Sequence, residues 1–158
     1  MEKSNVSIVK LEEQRVASFY GFGPSPEEQA WKKLEAWAKP LGYLNDGIHR
    51  IFGFNNPDPT PGSPNYGYEF WITVGPEIEP EGDMRIQHFC GGTYAVLRLV
   101  DPFTAPYEKI PEGWKQLVMW AEDSPYKIGG QQCLEEHLVI EETPPGGWSM
   151  DLHLPVIE

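Results

Sequence analysis

Cys133, Glu135 and His137 stand at alternate positions of CLEEHL, residues 133–138. If this stretch is a strand, successive side chains point to opposite faces, so these three share one face while Leu134, Glu136 and Leu138 share the other. A thiol–imidazole dyad does not fit that row, because four strand residues hold Cys133 and His137 ~13 Å apart. A metal would need a third ligand, for which His153 is the candidate. No HxxH or HExxH run occurs, however, and the two cysteines, Cys90 and Cys133, lack CxxC spacing. Neither a metal nor another cofactor is therefore expected. The stretch GFGPSP (21–26) lacks the third glycine and the lysine of a phosphate-binding loop. What remains is Glu135 itself, as the counter-charge to a cation held against aromatic rings or as a general base toward water.

The aromatic partners come from YEFWITV, residues 68–74. Alternation puts Trp71 with Glu69 and Thr73, and Tyr68 with Phe70 and Ile72, so only one set can line a groove. The Tyr68 set reads as core and Trp71 is assigned to the groove. Tyr94, in GGTYAVLR (91–98), is a further candidate.

The elements that must position these residues are legible from pattern and punctuation. Residues 6–23 read as a strand, bent near Glu12 and Glu13. SPEEQAWKKLEAWAKPLGY (25–43) reads as a helix capped by Ser25, with Pro26 in its first turn and a stripe of Ala30, Trp31, Leu34, Trp37, Ala38 and Leu41. Strands are expected at 49–55, 68–74, 84–100, 133–140 and 150–156, the third of these bent at Gly91 and Gly92. A second helix is expected at 110–126. Pro/Gly loops fall at 56–67 and 141–149, and an acidic turn-rich linker at 75–83.

The two helices repeat one another. Trp31, Lys32, Leu34, Trp37 and Ala38 return as Trp114, Lys115, Leu117, Trp120 and Ala121, each 83 residues later. YEFWITV returns as MDLHLPV (150–156) at an offset of 82. Self-similarity of this kind sets an architecture. The expected fold is α+β, built from duplicated βαββ units (5–74 and 84–157) with pseudo-two-fold symmetry. The two units form one antiparallel sheet in a single domain spanning 1–158, with both helices on one face and a ligand groove between them. The 83-residue offset pairs Glu135 with Phe52, whose face also carries Arg50 and Phe54.

Composition narrows the function classes. With 24 acidic against 12 basic residues the formal net charge is −12, which disfavours direct nucleic-acid binding and favours cationic ligands. Thirteen per cent of residues are aromatic, enough to line a pocket as well as a core. No apolar run reaches the length of a membrane span, and the N-terminal stretch has no signal-peptide h-region. A soluble cytoplasmic protein with reduced thiols is expected.

The duplicated plan, together with GGTYAVLR, YGYEFWITV (66–74) and CLEEHL, resembles the GyrI-like small-molecule-binding family, the effector-binding domain of AraC- and MerR-type multidrug regulators. The Pro-rich NNPDPTPGSPNYGYEFW (55–71) looks most like free-standing members, without a DNA-binding domain. The resemblance implies a groove for planar, cationic aromatic molecules, with a buried glutamate at the position of Glu135. Tyr is common two residues later, where this chain has His137; with the aromatic residues singled out above, the candidate ligand-binding set is Glu135, His137, Trp71, Phe52, Phe54, Tyr68 and Tyr94. It also implies alternatives: hydrolysis of cyclopropane-containing genotoxins with Glu135 as base, inhibition of DNA gyrase, or action through a transcription regulator as protein partner.

Overall fold

The computed structural model describes residues 5–44, 46–56, 58, 60–100, 106–140 and 148–158, so the loop expected at 141–149 lies almost wholly outside the described residues. Among them run, in chain order, β1 (Val6–Leu11), β2 (Gln14–Gly23), α1 (Pro26–Ala38), β3 (Ile51–Asn55), β4 (Tyr66–Thr73) and β5 (Arg85–Phe89). They continue with β6 (Gly92–Val100), α2 (Pro106–Glu122), β7 (Lys127–Ile128), β8 (Leu134–Ile140) and β9 (Trp148–Ile157). The registered strand pairs are antiparallel, which makes the chain α+β.

Two compact units emerge, one of residues 13–89 and one of the residues up to 12 with 90–158. Both long strands expected from sequence break at their bends. β1 pairs with β6, whereas β2 pairs with β4 and β5. The halves drawn from the repeat therefore differ from the units by these two short strands. The break before β6 depends on glycine: Gly91 and Gly92 have φ of 75° and 147°, and a Cβ on Gly91 would strike the Leu11 and Glu12 backbone.

In the 13–89 unit the strand order is β3-β4-β2-β5. α1 packs on one face through Ala30, Leu34 and Ala38, all fully buried, with Trp31 edge-on to Phe70 and Trp37 tilted against Phe19. Ser25 precedes the helix but makes no side-chain cap, and the helix stops at Ala38, so Leu41 is exposed rather than part of the stripe. Pro40 and Gly42 (φ 74°) form the turn that ends it.

In the other unit the order is β1-β6-β9-β8, with β7 on β9. α2 covers the face carrying Ala95, Leu97, Met150, Leu152 and Leu154, into which Leu117 and Ala121 pack. It starts at Pro106, one turn before the expected 110, and accommodates Pro111 within it.

One glycine sets how β4 leaves the loop before it. Gly67 lies opposite Phe22 and its carbonyl accepts the Asn56 N–H at 2.8 Å. A Cβ there would run into the Asn56 carbonyl, a backbone atom with no room to yield. Gly67→Ala should lower the unfolding free energy by about 2 kcal/mol in urea denaturation.

Candidate functional site

β4 reads YGYEFWIT, and every residue after Tyr66 is buried, including Glu69. Pairing with β3 and β2 puts Glu69 on the same face as Phe54, Tyr20, Trp71, Phe52 and Ser18, away from α1. β5 adds Arg85 and Gln87 to that face, opposite Ser18 and Val16. Tyr68 and Phe70 point the other way. Tyr68 meets Phe70 edge-on at 5.0 Å, and its ring lies over Gly53 of the neighbouring strand.

The Glu69 carboxylate is 7% exposed and collects four donors. Oε2 accepts from Ser18 Oγ (2.7 Å), Trp71 Nε1 (2.6 Å) and Gln87 Nε2 (3.0 Å). Among the described residues Oε1 accepts from Asn56 Nδ2 alone, at 3.3 Å. All four donors are neutral, so hydrogen bonds hold the carboxylate in place without cancelling its charge. Ser18, Asn56 and Gln87 also line a cavity of about 520 Å³ that Glu69 floors, within the range of small-molecule sites. Tyr20, 40% exposed, supplies an aromatic wall, and Lys33, Asp83 and Arg85 complete the lining. Behind Glu69, Trp71 packs edge-on to Phe54 (4.7 Å) and tilted against Phe89 (5.6 Å). Phe52 follows, with the Arg50 guanidinium 5.1 Å from its ring centroid. These buried rings orient Trp71 so that its N–H meets the carboxylate.

The structure thus brings together Phe52, Phe54 and Trp71, and places Tyr68 on the α1 face. Glu135 and His137 lie in the other unit on the α2 face, in register with Leu152 and Met150. There Trp114 Nε1 donates to Glu135 Oε2 at 3.4 Å. His137 is buried, and burial alone pushes its pKa down to about 4, so the ring is neutral near pH 7. Tyr94 is fully buried on the opposite face, its hydroxyl donating to the Gln132 carbonyl at 3.4 Å and its pKa raised to about 12, first by desolvation and then by Cys133. His153 lies on the Tyr94 side of β9 while Cys133 and His137 lie on the α2 side of β8, so the three do not converge. Among the described residues no group of three His, Cys, Asp or Glu is placed to hold a metal, and no helix is long and apolar enough to cross a membrane.

The offset that tied Glu135 to Phe52 fails by one residue. Phe52 faces Trp71 across β3–β4, and Leu134 faces His153 across β8–β9. Since 153 − 71 = 82, the residue in Phe52's relation is Leu134, and one residue of slip turns a side chain to the other face. Sequence reasoning passed over Glu69, Ser18, Asn56, Gln87 and Arg85. The signal for Glu69 was present: a lone carboxylate inside a run of aromatic and β-branched residues, where acids are depleted.

An α+β unit with a buried carboxylate, bonded among the described residues by neutral donors, at the floor of a cavity has the layout of a small-molecule binder. The chain belongs to the GyrI-like family, matching the model of the GyrI-like small molecule binding domain over residues 4–157. It is 29% identical to a DNA gyrase inhibitor of Erwinia billingiae, over 96% of this chain and 97% of that protein. In structure it resembles the C-terminal domain of EcmrR (TM-score 0.73, 16% identity, 97% of each chain). Against EcmrR in its complex with DNA the TM-score is 0.70 at 15% identity, and this chain spans 57% of that longer one. A hydrolase from Listeria innocua gives a TM-score of 0.66 at 14% identity, over 99% of this chain and 94% of that one.

Proposed function

We propose that this protein captures a small molecule in the 13–89 unit, presenting a cationic nitrogen to Glu69 and a flat ring to Tyr20. The observation that carries this is the imbalance at Glu69: among the described residues it has four neutral donors, one carboxylate oxygen with a single long bond, and no cation in its hydrogen-bond set. Its counterpart at the 82-residue offset supports the reading. Asp151 is buried too, but Arg98 grips it with two bonds, Nε to Oδ1 at 2.8 Å and Nη2 to Oδ2 at 3.0 Å. If the units are copies of one βαββ plan, one copy has its counter-ion built in and the other leaves the place for a ligand. Glu135 and His137, beneath α2, are then structural or form a second contact region rather than the first anchor.

Titration with the cationic dye rhodamine 6G, read by quenching of Trp fluorescence, tests this. Saturable binding that weakens at least tenfold in Glu69→Gln is expected; full-strength binding in that variant sinks the reading.

A second reading has an observation of its own. Glu69 lines a cavity large enough for substrate and water, so the carboxylate could orient water toward a strained electrophile, as the likeness to the Listeria hydrolase suggests. Turnover of a cyclopropane substrate, absent in Glu69→Gln, would favour it. The gyrase inhibitor relative suggests a protein partner instead, and inhibition of DNA supercoiling by the purified protein, unchanged in Glu69→Gln, would favour that.

A further inference from the structure

The ligand's class follows from the charges around the cavity, an inference that rests on Glu69 being the anchor. Four charged residues line it: Glu69, Asp83, Lys33 and Arg85. Lys33 and Asp83 answer each other. The Lys33 Nζ donates to the Tyr20 carbonyl at 2.9 Å and lies 3.7 Å from Asp83 Oδ2. Glu69 and Arg85 are left. Among the described residues Glu69 has neutral donors alone, and no carbonyl or carboxylate bonds the Arg85 guanidinium. Arg85 opens β5 opposite Ser18, while Glu69 lies on β4 beside β2. Their Cα atoms are thus two strand spacings and one residue pair apart on one face, about 12 Å by sheet geometry. A cavity with a negative floor and a positive rim, and with mainly polar lining between, does not favour a simple lipophilic cation, which the rim would repel.

We infer that the site takes a zwitterionic ring compound, its cationic nitrogen on Glu69 and a carboxylate or other anionic group on Arg85. Arginine suits the second role, since its fork of N–H groups matches a carboxylate in two bonds and it stays charged throughout the physiological range. Such a ligand leaves neither pole of the cavity unpaired, and a cation of the same shape leaves Arg85 facing an uncharged group.

Rhodamine 110 and rhodamine 123 separate the two cases, because they share one cationic ring system and differ in a free carboxylate against its methyl ester. The expected result is that rhodamine 110 binds roughly tenfold more tightly to the unaltered protein, the scale of one charge-assisted bidentate contact. In Arg85→Gln that ratio should fall to about one, and in Glu69→Gln both dyes should weaken. Equal or tighter binding of rhodamine 123 by the unaltered protein overturns the zwitterion inference and leaves the Glu69 reading standing. A tenfold ratio that survives Arg85→Gln also overturns it, since the carboxylate is then held elsewhere. If neither dye binds, the Glu69 reading falls and this inference with it. Arg85 is exposed, so its replacement should leave the fold intact, which a circular dichroism spectrum checks.

Discussion

Glu69→Ala should unfold at clearly lower urea than Glu69→Gln, the two differing by about 2–3 kcal/mol, although both remove the same charge. The reason lies in the donors. Ser18 and Trp71 are 4% and 9% exposed, and each aims its hydrogen at Glu69 Oε2, together with Gln87. Alanine deletes the acceptor and leaves two buried donors with nothing to bond, each worth about 1–3 kcal/mol, partly offset by water entering from the cavity. Glutamine restores an oxygen at the Oε2 position, and its amide nitrogen falls at Oε1, where Asn56 can turn its own carbonyl round to accept. The Gln variant should therefore stay within about 1 kcal/mol of the parent in stability while losing at least tenfold in affinity for a cation, the scale of one charge-assisted bond. If alanine and glutamine are equally stable, the carboxylate is not the hub of the network described. If glutamine binds a cationic dye as tightly as the parent, hydrogen bonding rather than charge governs the site.

The fold was legible where one period or one breaker residue dominated. α1 followed from a Pro26 start and a stripe at helical spacing. The bends at Glu12–Glu13 and Gly91–Gly92 also emerged, because only glycine supplies the positive φ that the second one needs. What those bends do could not be read, since nothing local says that β1 pairs with β6 and β5 with β2; antiparallel partners are chosen by long-range burial. Comparing the two halves residue by residue depended most on register. The helices repeat at 83 residues and the final strands at 82, and carrying the helix offset into β8 put Glu135 on the wrong side of the comparison with Phe52. The same alternation, applied to YEFWITV alone, correctly grouped Glu69, Trp71 and Thr73. Glu69 was then treated as a neighbour of Trp71 rather than as the group Trp71 serves. Asn56 follows β3, whereas Arg85 and Gln87 lie together on β5, and the two places meet only once β3, β4, β2 and β5 are aligned, so no local pattern could have assembled them.

His137→Leu should remove a large part of the protein's sensitivity to mild acid. The imidazole is buried on the α2 face of β8, and desolvation lowers its pKa to about 4, whereas in the unfolded chain it titrates near 6.5. Between those values the unfolded chain binds a proton that the folded one refuses, so stability is complete above pH 6.5 and drains away as the pH falls toward 4. From pH 7.5 to pH 5 this one group should remove about 2 kcal/mol, and by pH 4 about 3 kcal/mol. Leucine matches the ring closely in volume and cannot take a proton, so the variant should lose that slope even if its stability at pH 7.5 also changes through lost contacts. The measurement is urea unfolding of both proteins at pH 7.5, 6, 5 and 4, taking the difference between them at each pH. Subtraction cancels the carboxylates common to both, which matters in a chain with 24 acidic residues. A difference that stays flat from pH 7.5 to 4 would mean that the buried ring is protonated in the folded state as readily as in the unfolded chain, and that Glu135 on the same strand face compensates it after all.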